Sequence, residues 1–139
     1  VAIDHWLRTN STPTAIFKRT FPHEYCESER ALLGCTNSEV ASVVLRSWEF
    51  PPEMSLPIRW QYAPWDAGSY RQFSALLHCA KWLSASVCAP KPGQVPAPAV
   101  RAMEPIKFTA PKLARCLANV ESRLRDVQRK LDAQPLDAA

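Results

Sequence analysis

The clearest alternation of apolar and polar positions runs from Leu32 to Glu53. Leu32 and Leu33 complete an apolar face that begins at Tyr25, and Gly34 follows them. A residue without a Cβ takes the left-handed position that closes a helix at little cost, so a helix starting near His23 is expected to end near Leu33. Thr36 and Glu39 stand in the T-x-x-E spacing of a capping box, which predicts a new helix starting at Thr36 or Asn37. Within it Val40, Val43, Val44 and Trp48, with Ala41 and Leu45 beside them, recur at helical spacing and predict a broad buried face that makes this helix the hub of the fold. The pair Pro51 and Pro52 ends it. Pro52 and Glu53 suit the first turn of a third helix, where a missing amide hydrogen costs nothing and a carboxylate complements the helix dipole.

Met54, Ile58 and Tyr62 carry a helical face past Pro57, which is expected to kink or delay that helix. Ala63 to Gly68 reads as a turn, and Ser69 as the cap of a long helix. Its inner face is expected to be Phe73, Leu76, Leu77, Ala80, Leu83 and Val87. Upstream, Val1, Ile3, Trp6 and Leu7 form a short amphipathic piece, separated by a polar break at Asn10 to Pro13 from Ala15, Ile16 and Phe17. Residues 89–110 read as a linker, extended where Pro90, Pro92, Pro96 and Pro98 fall. From Pro111 the positions Leu113, Leu117, Val120, Leu124, Val127 and Leu131 alternate four and three apart, a heptad seam on a helix expected over 111–134. A stripe that narrow suits one partner helix, either a protein partner or a second copy of the chain. The linker is expected to hold it away from a domain of residues 1–88.

Composition narrows the fold class. A chain of 139 residues, 47% hydrophobic and 22% charged, suits one domain with a core and a tail. Only three Gly and few period-two runs argue against sheets, so the expectation is all-α. The net charge of +4 is spread among acids, which permits nucleic-acid binding without indicating it. The five Cys form no C-x-x-C pair and are read as reduced thiols in a cytoplasm. No apolar run approaches the roughly 20 residues that span a bilayer, and no segment has the pattern of a signal peptide.

The central stretch resembles the C-terminal half of the bacterial HDOD domain, the HD-related output domain. The family pattern there is approximately E-x-x-x-L-G-x-D-H-x-E-V-G, then L-x-x-x-W-x-F-P, an Ile, a His-His pair before x-Pro, and L-H-x-A-D-x-L. Glu29, Leu33, Gly34, Glu39, Val40, Leu45, Trp48, Phe50, Pro51, Ile58, Pro64, Leu77, His78, Ala80 and Leu83 fall in step with it. The resemblance covers about residues 16–87 and rests mostly on core and turn positions. It implies a compact multi-helix HD-like bundle portion, and the family domain is larger than the matched region.

In catalytic relatives of that superfamily, His and Asp ligands hold metal ions that activate water against a phosphate ester. Here the matching positions are degenerate: Thr36 and Asn37 replace Asp-His, Gln61 and Tyr62 replace His-His, and Lys81 replaces Asp. No catalytic residue, metal site, cofactor or small-molecule substrate is therefore expected. His78 is read as a partly buried, hydrogen-bonded histidine, and His5 and His23 lack metal-ligand spacing. Cys35 reads as a structural thiol, and Trp48, Trp60, Trp65, Trp82, Tyr62 and Tyr70 as packing residues. The strip of Arg115, Arg123, Arg125, Arg129 and Lys130, interleaved with Glu121 and Asp126, reads as a solvated helix face. The resemblance implies a non-catalytic signalling or regulatory output module working through protein-protein contact. Two other readings stand beside it: a fragment of a metal-dependent HD-type phosphohydrolase whose ligands lie elsewhere, and a basic helical nucleic-acid-binding module.

Overall fold

The computed structural model describes residues 23–89, 93 and 95–133; the expectations for residues 1–22, for Pro90 and Pro92 and for position 134 lie outside them. Among the described residues the fold is all-helical, with no strand. The α-helices are α1 (His23–Leu33), α2 (Asn37–Ser47), α3 (Pro52–Arg59), α4 (Arg71–Val87), α5 (Val100–Met103) and α6 (Ala110–Asp132). Short 3-10 turns at Pro64–Asp66 and Gly68–Tyr70 lead into α4, and one at Glu104–Ile106 follows α5. Helix α2 packs on α3, α3 on α4, and α4 on α5 and α6.

The helix boundaries follow local chemistry. Gly34 adopts φ 72°, and its amide donates to the Arg30 carbonyl at 2.9 Å, closing α1. The Thr36 hydroxyl accepts from the Glu39 amide at 3.3 Å, and the Glu39 carboxylate accepts from the Thr36 amide at 2.9 Å, so both halves of the capping box are made. Helix α2 then stops at Glu49, which takes φ 61° while the Phe50 amide reaches back to the Leu45 carbonyl at 3.0 Å. Pro57 lies inside α3 and is buried, and α3 ends two residues later.

Glu39 gives the cap a pH dependence. The hydrogen bond from the Thr36 amide, reinforced by Arg30, holds its carboxyl below the ordinary value of 4.5. A folded-state pKa that is depressed adds stability above the unfolded value, and this is lost as pH falls through the folded one. Urea midpoints of the wild type should therefore fall more steeply below about pH 4.5 than those of Glu39→Gln. Thr36→Ala should cost about 1 kcal/mol at neutral pH.

The faces expected to be buried are not the ones that are. On α2, Val40, Val43, Val44 and Trp48 are exposed, Trp48 by 67%, whereas Ser38 and Ser42 are buried and Ala41 and Leu45 half-buried. On α4, Phe73, Leu76 and Ala80 are exposed, and the buried stripe is Ser74, Ala75, His78, Cys79 and Trp82, one position round the helix. Helix α3 buries Ser55 and Pro57. Small side chains let helix backbones approach closely, and larger apolar ones are then left outside the contact. The hydroxyls of Ser42, Ser55 and Ser74 have no hydrogen-bond partner, which fits a contact set by size and not by polarity. Helix α2 is consequently no hub built on Val44.

The largest side chains of the core come from α4 and the segment after it. Cys79, Trp82, Met103 and Leu113 form one buried cluster, with Leu83, Val95, Ile106, Phe108 and Leu117 packed against it. Residues 95–110 are thus docked structure and not the spacer expected from the proline pattern. Proline lacks an amide donor but keeps its carbonyl, and the Pro96 carbonyl accepts the Trp82 indole N–H at 2.8 Å. Lys107 closes the turn after α5 at φ 52°, with the Phe108 amide donating to the Met103 carbonyl.

Helix α6 is correspondingly not held away from the domain. Leu113 is 2% exposed and Leu117 packs on the same cluster, so the first two seam positions are core. Val120 is half-buried, while Leu124, Val127 and Leu131 are exposed by 47%, 52% and 58%.

Candidate functional site

Asn37 at the start of α2 meets Glu29 of α1, and Gln61 and Tyr62 in the turn after α3 meet Lys81 in the middle of α4. Glu29 of α1 is wholly buried. Its carboxylate accepts the Asn37 backbone N–H at 2.9 Å and the Asn37 side-chain amide at 2.8 and 3.1 Å. A buried carboxylate thereby satisfies a first-turn amide of α2, where the helix dipole favours negative charge.

Gln61 and Tyr62 follow α3, and His78 and Lys81 stand one turn apart on α4. The buried His78 ring nitrogen Nδ1 lies 2.8 Å from the Gln61 carbonyl, which makes it the hydrogen-bonded histidine expected of that position. The Lys81 ammonium donates to Gln61 Oε1 at 2.9 Å and to the Tyr62 hydroxyl, with its nitrogen 4.2 Å from the centre of the Tyr62 ring. Burial lowers the Lys81 pKa, opposed by the negative charges that Cys26 and Glu29 can carry nearby. Burial likewise pushes the Cys26 thiol up to about 11, helped by Glu29 and opposed by Lys81. Cys26, Glu29 and Lys81 thus influence one another electrostatically.

A cavity of about 110 Å³ opens beside this polar centre, between Cys26 and Arg30 of α1, the α2 cap and the Trp60 to Ala63 turn. That is well below the roughly 300–1,000 Å³ of ordinary ligand clefts. Arg30 on its rim is paired with Glu39 at 3.0 Å, and Arg59 lies 5.5 Å from the Trp60 ring centre. Among the described residues no group of three His, Cys, Asp or Glu side chains stands close enough together to hold a metal ion. The donors and acceptors of the centre are instead spent on one another.

Sequence reasoning assigned Asn37, Gln61, Tyr62 and Lys81 to this place but gave Glu29 no role beyond a matching position. Its pairing with Asn37 joins residues eight apart across a helix break, a relation that no helical periodicity reveals. The aromatic residues divide: Trp82 is buried, Trp60, Trp65, Tyr62 and Tyr70 are half-buried, and Trp48 is not a packing residue. The Arg101 guanidinium of α5 stacks 3.7 Å from the Trp65 ring centre, tying α5 to the turn before α4. Along α6, Arg115, Arg123, Arg125, Arg129 and Lys130 are exposed, as a solvated face requires, and Arg129 pairs with Asp126. The described cysteines are all free; Cys79 is buried, Cys88 exposed, and Cys35 partly exposed beside the α2 cap.

Together these features define an all-helical domain with a closed polar centre and two exposed apolar helix faces. No family model matches the chain, and no curated protein or solved structure matches it. No helix among the described residues is long and apolar enough to cross a membrane.

Proposed function

We propose that the chain is a non-catalytic signalling or regulatory output module of the HDOD type, acting in a bacterial cytoplasm through protein-protein contact. The observation that carries this reading is the division of α6. Its Leu113 and Leu117 are packed into the core, and the same seam continues into solvent at Leu124, Val127 and Leu131. Solvated helices ordinarily end such a stripe with polar residues, so an apolar seam kept in register past the domain suits a second helix laid along it. The surrounding Arg123, Arg125, Arg129 and Lys130, with Glu121 and Asp126, keep the rest of the surface soluble and leave only the seam to exclude water. The exposed Val40, Val43, Val44 and Trp48 face of α2 offers a further contact surface on the opposite element of the bundle's sequence.

The test is sedimentation of the wild type and Leu124→Asp over a range of concentrations. The average mass of the wild type is expected to rise with concentration and that of the variant to stay at the monomer. Because Leu124 is exposed, the variant should keep its stability within about 0.5 kcal/mol. A wild type that remains monomeric and binds no partner through this helix, or a variant that unfolds, would remove the support α6 gives to this reading.

A further inference from the structure

We propose that the Lys81 ammonium is the resident cation of the polar centre, held by Gln61 and Tyr62 among residues whose chemistry does not suit a divalent metal. The inference rests on the non-catalytic reading above only in taking Asn37, Gln61, Tyr62 and Lys81 as the positions where metal ligands would be expected. A divalent ion needs four or more N, O or S ligands converging, with thiolates, imidazoles or carboxylates supplying most of them. What converges here is different. The oxygens nearest the Lys81 nitrogen belong to a neutral amide and a phenol, Gln61 Oε1 at 2.9 Å and Tyr62. The Glu29 carboxylate is taken up by three hydrogen bonds from Asn37, and His78 Nδ1 faces the Gln61 carbonyl at 2.8 Å.

The arrangement suits an ammonium instead. Three N–H donors on a point charge match an amide oxygen, a phenol oxygen and the face of an aromatic ring, and the Tyr62 ring lies 4.2 Å from the nitrogen. The buried Glu29 carboxylate of α1, bonded to Asn37, adds an attraction through space and not an ion-pair contact. Being covalently tethered, this cation binds without the translational cost that a free ion meets. Its two direct partners, Gln61 and Tyr62, lie in the turn after α3, so the ammonium ties α4 to a segment about twenty residues earlier in the chain.

The experiment is a double-mutant cycle of Lys81→Met and Glu29→Gln, read by urea midpoints, with equilibrium dialysis of each protein against Zn²⁺ and Mn²⁺. Lys81→Met is expected to lower the midpoint, and the double variant to lose less than the two single losses added together, because removing both charges spares each from being left unpaired. The wild type is expected to retain neither metal in stoichiometric amount. Additive losses, or a stoichiometric metal in the wild type with Lys81 intact, would overturn the proposal. Should Lys81→Met fail to fold, Lys81→Arg serves in its place: a retained cation should preserve folding, and collapse of both variants alike would show that charge is not what the centre requires. Concentration-dependent association through α6 is unaffected by either outcome, so this assignment and the proposed function fail separately.

Discussion

Trp82→Ala should be the most damaging single truncation in the protein, costing about 3–5 kcal/mol of the roughly 5–15 kcal/mol that stabilises a domain of this kind. The indole is almost fully buried among Cys79, Met103 and Leu113, and it also donates to the Pro96 carbonyl. Its removal leaves a cavity on α4 and an unpaired carbonyl on the segment docked against it. The loss should extend beyond stability, because the same indole packs on Met103 and holds the Pro96 carbonyl of residues 95–108. Limited proteolysis of Trp82→Ala is expected to cut within that segment before the rest of the chain, while Trp82→Phe, which keeps most of the ring and loses the hydrogen bond, should cost about 1–2 kcal/mol. If Trp82→Ala shifts the urea midpoint no more than an exposed-site change such as Leu124→Asp, the core has been misplaced.

The second large effect is expected at Glu29. Glu29→Ala removes an acceptor of three hydrogen bonds and leaves the half-buried Asn37 amide and side chain without it. Charge-assisted hydrogen bonds and stranded donors together put the cost at about 2–4 kcal/mol, several times that of losing the neighbouring Thr36 cap. Asn37→Ala in the Glu29→Ala background should add little, since the pair is one unit. Chemical denaturation of the two single variants and the double variant measures this directly, and independent, fully additive losses would show that the pairing does not carry the start of α2.

Local punctuation was legible where residues close together set a boundary, but not at α4, where Ser69 lies in the preceding 3-10 turn and Tyr70 takes the N-cap position without a side-chain cap. Gly34 closing α1, the Thr36 and Glu39 box, and Pro52 opening α3 all stand where spacing placed them. The phase of the buried faces was not legible. Periodicity gives weight to Val, Leu and Trp, whereas α2 buries Ser38 and Ser42, α3 buries Ser55 and Pro57, and α4 buries Ser74 and Ala75 ahead of His78, Cys79 and Trp82. Sequence alone has no term for how near two backbones will come, and that distance decides whether Val44 or Ser42 turns inward. Residues 95–110 misled for a related reason: proline advertises the loss of amide donors, but Met103 is buried and Phe108 half-buried through the cluster that includes Cys79 and Trp82 of α4, more than twenty residues earlier in the chain. In the polar centre, the four replaced positions were readable one by one, and only the fold shows that three of them touch and that the fourth holds Glu29.

Helix α6 is continuous from its buried first turns to its exposed end, and this has a thermodynamic corollary. Leu113 lies in the core and Leu131 in solvent on one uninterrupted helix of 23 residues, without a glycine or a proline after its first turn. Any ligand that grips the far end must bind the helical form, so its binding free energy is linked to that of keeping Leu113 docked. The linkage is reciprocal: a tighter core raises affinity at the far end, and occupancy there raises the melting temperature of the core by the same free energy.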